Sequence, residues 1–418
     1  RASIYNAMPI EGVEYLIDFM KKFAAETSKR SFGKGEQMYN KAYNKISKVG
    51  LDDLDAAKYT CSEDFTDYDA VLVRSAKLHE VEFSKNLKCI ARAGAGVNNI
   101  PIDRCSQEGI VVFNTPGANA NAVKELVICA LLLASRKVVQ GANWVKSLKG
   151  TPDIGPAAEK GKSTYAGPEI AGKKLGIIGL GAIGVKVANA AVALDMEVWG
   201  YDPFLSVDGA LKLDRSVKHV TDLNEIFANC DYITIHVPLN ADTKNTISAE
   251  AIEKMKDGVR VINLARGELV DTKAMAKALE SGKVAAYVSD LRPTRSFEQE
   301  NAITLPHLGA STPESEDNCA KMAVYEITEY LEKGTIRNSV NFPNLKVPYE
   351  GGYRVCLIHK NIPNMIASIT RGPHQHREHG QPFARRLCYT IIDLADQPTE
   401  ENLAALRAIE GMISVRAI

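Results

Sequence analysis

At 418 residues the chain has room for two or three domains of roughly 150 residues each, which excludes a mini-protein held together by disulfides or metal alone. Lys plus Arg (51) balance Asp plus Glu (51), so no net field draws the protein to nucleic acid or to an anionic membrane, and a small-molecule partner is expected. The eight Cys are scattered with no Cys-x-x-Cys pair, which reads as reduced thiols in a cytoplasmic compartment and excludes a disulfide framework or a zinc ribbon.

In chain order, residues 1–37 read as foreign to the rest of the chain. Lys29–Gln37 is polar and Gly-bearing, as a linker is, and Met38 stands behind it like a start codon retained inside a longer frame. Because the chain opens on Arg1, its true beginning is expected to be missing. From there short β-branched runs alternate with helical stretches. Strands are predicted at 70–73, 110–113, 175–179, 197–201, 232–237, 259–264 and 285–289. Runs this apolar are buried on both faces, and their alternation with helices predicts parallel, doubly wound α/β sheets. Asn121–Arg136 reads as a long apolar helix joining two such sheets. Its most apolar run, Leu126–Ser135, has ten residues, short of the ~20 that a membrane helix needs. Gly150–Gly167 reads as a loop, and Asn341–Gly352, with Pro343, Pro348 and a Gly pair, as a linker to a tail.

The sharpest local signal is Lys174-Leu-Gly-Ile-Ile-Gly179-Leu-Gly181-Ala-Ile-Gly184. A predicted strand precedes this Gly-x-Gly-x-x-Gly, a helix follows it, and Asp202 ends the next strand 18 residues after Gly184, the context that a dinucleotide requires. Gly179 permits the tight turn, Gly181 lets the backbone approach a pyrophosphate, and Gly184 allows close helix packing, with donors at the helix N-terminus. Asp202 is expected to accept hydrogen bonds from the adenosine ribose. A carboxylate there repels a 2′-phosphate, and neither Pro203 nor Phe204 supplies a cation for one, so NAD is expected rather than NADP. Arg266, in Asn263-Leu-Ala-Arg-Gly267, and His307, in Leu305–Thr312, both follow apolar strands of the same half. Strand carboxyl ends face the crevice of an open α/β sheet. An Arg there can grip a carboxylate bidentately, while a His can exchange a proton with a C2 oxygen as hydride moves. Glycine turn, guanidinium and imidazole together predict a 2-hydroxy acid dehydrogenase.

Residues 38 to about 340 resemble the D-isomer-specific 2-hydroxyacid dehydrogenases, and within them the branch that acts on phosphoglycerate. The resemblance rests on Val73-Arg74-Ser75, Arg92–Asn99 (RAGAGVNN), Asn114–Asn121 (NTPGANAN), the Gly179 turn, His236-Val-Pro238, Arg266 and His307-Leu-Gly-Ala310. It implies two Rossmann-like domains, one for substrate over 38–137 and 311–340 and one for NAD over 138–310, closing over a crevice. The activity it implies is oxidation of D-3-phosphoglycerate to 3-phosphohydroxypyruvate with NAD, the first step of the phosphorylated route to L-serine, in a homodimer or homotetramer. Glycerate- or lactate-type substrates, or an NAD-binding sensor without turnover, are the alternatives. Residue by residue, it implies that Arg266 fixes the substrate carboxylate beside the amides of Ala95, Gly96 and Val97, that His307 takes the hydroxyl proton, and that Arg74 and Ser75 approach the phosphate. Ala182, Ile183, Asp202, His236, Pro238, Leu264, Ala265, Asp290, Gly309 and Ala310 would line the NAD site with the three glycines.

Two departures and one addition stand out. Members of the family carry a Glu four or five residues after the Asp that matches Asp290, and this Glu holds the catalytic His. Here those positions are Thr294 and Arg295, which leaves the imidazole without its charge partner and loosely oriented, with Glu298 and Glu300 as the nearest substitutes. The tail, residues 353–418, resembles an ACT regulatory domain, a small ferredoxin-like α+β fold, in Arg354–Met365, Cys388–Asp393 and Ala404–Ile418. By that resemblance L-serine is an effector, with His359 and Asn361 as its polar contacts. Residues 372–387 break the pattern; His374, His376 and His379 there raise the idea of a metal site, but a solvated polar stretch is the preferred reading and no metal is expected. Both this stretch and residues 291–296 can be read in a shifted frame as family-like sequence, so frame-shifted segments are expected at both, and the underlying DNA tests this. The addition is at the start: Arg1–Val13 and Phe19–Phe23 resemble the C-terminal end of phosphoserine aminotransferases, which predicts a truncated fusion of consecutive pathway enzymes, the fragment being too short to bind pyridoxal phosphate or catalyse transamination alone.

Overall fold

The computed structural model describes residues 37–150, 152–290, 299–370, 377–379 and 387–418. The aminotransferase-like segment, Thr294, Arg295, Glu298, the frame shift expected at 291–296, and most of 372–387 with His374 and His376 lie outside the described residues.

The first sheet takes β1 (Met38–Tyr43), β2 (Tyr59–Ser62), β3 (Ala70–Val73), β4 (Cys89–Arg92) and β5 (Val111–Asn114) in the order β2-β1-β3-β4-β5. All its pairings are parallel. Every residue of β3 is buried, as its unbroken Ala-Val-Leu-Val run requires of a strand covered on both faces. Two short helices, α1 (Lys48–Leu51) and α2 (Ile102–Gln107), belong to this half.

Helix α3 (Ala120–Ser135) follows β5, one residue ahead of the predicted span. Its buried stripe, Val123, Val127, Ala130, Leu131 and Ala134, recurs at helical spacing and packs with Leu175 and Ile177. The helix expected to close the first domain at 137 therefore buries its apolar face in the second. After α4 (Val138–Ser147) comes α5 (Ile154–Gly161), where the sequence suggests a loop. Pro156 sits in its first turn, where a missing N–H costs nothing, and Ala157-Ala158-Glu159-Lys160 are strong helix formers. A turn through Tyr165 then stacks that ring on Trp144 at 5.1 Å.

The second sheet holds β6 (Lys174–Ile178), β7 (Glu197–Tyr201), β8 (Lys218–Val220), β9 (Tyr232–Ile235), β10 (Val259–Asn263), β11 (Val284–Ser289) and β12 (Ala302–Thr304). Its order is β12-β11-β10-β9-β6-β7-β8, again all parallel. Helices α6 (Ala182–Val192), α7 (Val207–Lys212), α8 (Leu223–Asn229), α9 (Ala249–Lys254) and α10 (Thr272–Ser281) connect the strands. Strand order reverses between β6 and β9, and such a switch point opens a crevice at the strands' carboxyl ends.

The 21-residue α11 (Pro313–Lys333) returns the chain to the first sheet. The Thr312 hydroxyl accepts from the Ser315 amide at 3.1 Å, Pro313 takes the first helical position, and Gly334 closes the helix at φ 68°. Glu326 on this helix is 1% exposed. One carboxyl oxygen accepts from Asn338 Nδ2 at 2.7 Å, and the other has no partner among the described residues. Burial raises this carboxyl from 4.5 to about 8. The folded state therefore holds a proton that the unfolded chain releases, so the stability this group contributes is full below about 4.5 and is lost as pH rises through about 8. Glu326→Gln keeps an acceptor for Asn338 without the charge. Calorimetry is expected to find its Tm above wild type at pH 8.5 by a few degrees, at roughly 2–4 °C per kcal/mol, and close to wild type at pH 5.

Residues 341–352, expected as a linker, form a packed strap. Phe342, Leu345 and Val347 are buried in the first sheet's core, and Ile336 and Leu345 exchange backbone hydrogen bonds at 2.9 Å. Three large apolar side chains in so short a stretch are costly to leave in water. Beyond it β13 (Tyr353–Lys360), α12 (Met365–Thr370), β14 (Arg377–His379), β15 (Leu387–Leu394), α13 (Glu400–Arg407) and β16 (Met412–Ala417) build an antiparallel sheet in the order β14-β15-β13-β16. Two arginines fasten it to the carboxyl end of α11, whose last carbonyls lack helical partners. Arg416 donates to the Tyr330 and Leu331 carbonyls at 2.7 and 2.8 Å. Arg354 donates to the Lys333 carbonyl at 2.7 Å while it grips Asp393 at 2.6 and 2.9 Å. No described helix is long and apolar enough to cross a membrane.

Candidate active site

A cavity of about 900 Å³ lies between the two parallel sheets. Its lining residues follow the last residues of β1, β3, β4 and β5 on one side and of β6, β9, β10, β11 and β12 on the other. Strand ends set the side chains that meet there, which is why they come from loops far apart in sequence.

On the wall of the second sheet, Gly179 has φ 96°, and an added Cβ would lie 2.8 Å from the His236 carbonyl. Only glycine makes this turn at this approach. A methyl group placed on Gly181 would meet nothing within 4 Å, so its backbone faces open space, and α6 begins there with no side-chain cap on its amides. These free donors, at the positive end of the helix, suit a pyrophosphate. Asp202 accepts from the Leu180 and Phe204 amides, each at 2.8 Å. Those bonds orient the carboxylate, which keeps lone pairs for ribose hydroxyls. His236 Nδ1 and Asp290 Oδ1 are buried without partners among the described residues; burial alone pulls the His236 imidazole down to about 4. A methyl-free cradle, uncapped helix amides and two orphaned polar atoms fit a dinucleotide. At Gly184 a Cβ would strike the Gly179 carbonyl. Gly184→Ala is therefore expected to weaken NADH binding at least about tenfold, read by nucleotide fluorescence.

Arg266, His307 and Asp290 all line this wall. Asp290 Oδ2 accepts from the Gly309 amide at 2.8 Å, so the 307–310 turn is pressed onto the carboxylate. Burial raises the Asp290 carboxyl, and the charges of His307 and Arg266 partly offset that. Asp290 thus feels the charge of both, whereas Glu300, one of the two nearest substitutes for the family's Glu, does not line the cavity. His307 has φ 57°, a left-handed conformation costing a non-glycine residue roughly 1–2 kcal/mol, and strain of this kind clusters at functional sites. Arg266 donates to its neighbouring Ala265 carbonyl at 2.7 Å and pairs with no carboxylate among the described residues.

The two walls touch through guanidinium. A Cβ on Gly96 would lie 2.8 Å from Arg266 Nη2, so Arg266 reaches across the cavity to the loop after β4. Arg92 lies under Gly94 in the same loop and donates from Nε to the Arg74 carbonyl at 3.1 Å. Burial, with the neighbouring Arg266 and Arg74 cations, holds the Arg92 guanidinium below the usual range. Mutually repelling cations around a cavity mark a site awaiting an anion.

Arg74, Ala95, Gly96, Val97, Gly181, Ala182, Ile183, His236, Pro238, Leu264, Ala265, Arg266, Asp290, His307, Gly309 and Ala310 are thus brought to one cavity. Ser75 is not: its amide donates to Asn44 Oδ1 at 3.3 Å and props the loop after β1. Asp202 lies outside the lining, at the end of β7. His359 is buried in the tail sheet, with Nδ1 against the Lys360 carbonyl at 3.0 Å and Nε2 against Thr390 Oγ1 at 2.9 Å. Both ring nitrogens are bonded within the chain, and Asn361 is exposed. Sequence reasoning passed over Arg92, Lys45 and Glu316, which also line the cavity. Arg92 stands in the RAGAGVNN motif, and its charge was the signal.

Residues 128–309 match the family described as D-isomer specific 2-hydroxyacid dehydrogenase, NAD binding domain. The chain is similar to D-3-phosphoglycerate dehydrogenase of Archaeoglobus fulgidus, with 38% identity over 289 residues that cover 67% of this chain and 52% of that protein. It is also similar to D-3-phosphoglycerate dehydrogenase of Escherichia coli K12, with 31% identity over 431 residues that cover 96% of this chain and 100% of that protein. It spans about half the length of the archaeal relative and all of the bacterial one. Among solved structures it is similar to an NAD⁺-bound 3-phosphoglycerate dehydrogenase of Entamoeba histolytica, with TM-score 0.58, 27% identity, and coverage of 74% of this chain and 100% of that one. A glyoxylate reductase from Paecilomyes thermophila matches with TM-score 0.61 and 27% identity, covering 73% and 98%.

Proposed function

The chain belongs to the D-isomer-specific 2-hydroxyacid dehydrogenase family, and we propose that it oxidises D-3-phosphoglycerate to 3-phosphohydroxypyruvate with NAD, the opening step of the phosphorylated route to L-serine. The observation that carries this reading is the reach of Arg266 to Gly96, with Arg92 and Arg74 on the same face. Three guanidiniums suit a substrate with a carboxylate at one end and a phosphate at the other.

Bound NAD supplies the hydride acceptor for C2. Arg266 and the amides of Ala95, Gly96 and Val97 hold the substrate carboxylate. His307 takes the hydroxyl proton as the C2–H bond breaks, and Asp290 stabilises the imidazolium that results. Closure of the two walls excludes water and strengthens each of these charges. The test is steady-state oxidation of NADH with 3-phosphohydroxypyruvate against hydroxypyruvate and pyruvate. A clear preference for the phosphorylated acid is expected; equal rates would favour the glycerate- or lactate-type alternative. One observation speaks for that alternative: Arg74 is paired with Glu316 at 2.7 Å.

The tail is proposed as an ACT-like regulatory module responsive to L-serine, in a homodimer or homotetramer. Its support is the order β16-β13-β15-β14 with a helix after the first and third strands, the split βαβ arrangement of ferredoxin-like folds. Running the same assay with and without L-serine tests it.

A further inference from the structure

On the phosphoglycerate reading, some group on the substrate wall must select the phosphorylated end. The loop after β1 enters that wall beside Arg74. Both its ends are held. Asn44, at φ 66°, accepts from the Ser75 amide at 3.3 Å, and Ser47 Oγ donates to Asp317 of α11. Between these anchors Lys45 is exposed, lines the cavity, and pairs with no carboxylate among the described residues.

Arg74 is differently placed. Glu316, from the first turn of α11, holds its guanidinium at 2.7 Å, and the two side chains are 38% and 41% exposed. Such a solvent-screened pair is weak and open to exchange. The substrate carries one carboxylate, which Arg266 takes, and at its far end a phosphate bearing close to two charges. With Arg74 shared with Glu316 and the Arg92 Nε committed to a carbonyl, a phosphate of two charges has room for a further cation that pairs with no carboxylate.

We propose that Lys45 is a specificity-determining residue that binds the substrate phosphate, and that Glu316 opposes it by competing for Arg74; the proposal rests on the phosphoglycerate reading. The phosphate displaces Glu316 from Arg74 and closes its second side with the Lys45 ammonium. An unphosphorylated acid gains nothing from either event and leaves the Arg74–Glu316 pair in place.

The experiment is calorimetric titration of the full chain, loaded with NADH, with 3-phosphoglycerate and separately with glycerate. Lys45→Met is expected to weaken 3-phosphoglycerate binding roughly tenfold relative to glycerate, the loss of one charge-assisted hydrogen bond. Lys45→Arg should restore most of that ratio, which a merely structural role for the lysine would not produce. Glu316→Gln should move the ratio the other way, by about threefold, because a neutral amide competes less for Arg74. A ratio unchanged in Lys45→Met, or both ligands weakened alike, overturns the proposal. Glu316→Gln that leaves the ratio in place or lowers it overturns the competition. If the unmutated chain binds 3-phosphoglycerate no better than glycerate, the phosphoglycerate reading itself fails. A chain that prefers 3-phosphoglycerate regardless of residue 45 sinks this inference alone.

Discussion

Arg266→Ala is expected to lower kcat/KM for 3-phosphohydroxypyruvate by roughly 10²–10³-fold, with both a higher KM and a lower kcat, the scale of losing a preorganised donor at a reacting centre. The split follows from where the side chain lies. Its guanidinium spans from the wall of the second sheet to Gly96 on the first, so on the proposed mechanism it would bind the carboxylate in the ground state and also fix C2 during hydride transfer. Truncation removes both roles and leaves Arg92, beneath its own loop, as the guanidinium nearest Gly94. Arg266→Lys keeps the charge but loses the planar fork and should recover binding more than turnover. Steady-state kinetics in both directions checks this. A variant whose KM alone rises would reduce Arg266 to uniform binding.

His307→Ala is expected to lower kcat roughly 10²–10⁴-fold with KM changed little, because the proposed mechanism has the imidazole act on a proton in flight rather than on the bound substrate. The left-handed backbone at His307 and the bond from the Gly309 amide to Asp290 aim this turn at the cavity. The family's Glu is absent from positions 294 and 295, and Asp290 is a carboxylate that feels the His307 charge. Turnover unaffected by the substitution would remove His307 from proton transfer and assign that step to solvent or to another group.

How much of the fold and the site is legible in the sequence depends on whether the determinant is local. The strands over 70–73 and 197–201 are legible to the residue, because continuous β-branched or aromatic runs buried on both faces have no other comfortable form. β1 escapes because Asn40 and Lys41 interrupt its apolar pattern, and β12 because three residues carry no periodicity. The helix over 154–161 is hidden by Gly155 and Pro156, which punctuate most chains but are tolerated in a first turn. Within the site, the glycine turn, Arg266 and His307 are legible since each sits in a short motif whose geometry is its own. Lys45 and Glu316 are not. Nothing near either residue marks it, and only the packing of the loop after β1 against α11 brings them to one wall. The bond between His359 and Thr390 is hidden too, because it joins two paired strands of the tail that sequence order keeps apart.

The most direct measurement is a diffraction structure of the full chain with NADH and 3-phosphoglycerate bound together. The expected result has the substrate carboxylate on Arg266 and the Ala95–Val97 amides, the C2 hydroxyl within hydrogen-bond reach of His307, and nicotinamide C4 stacked against C2. Electron density with the nicotinamide turned out of the cavity, or with Arg266 and His307 on different ligands, would contradict it.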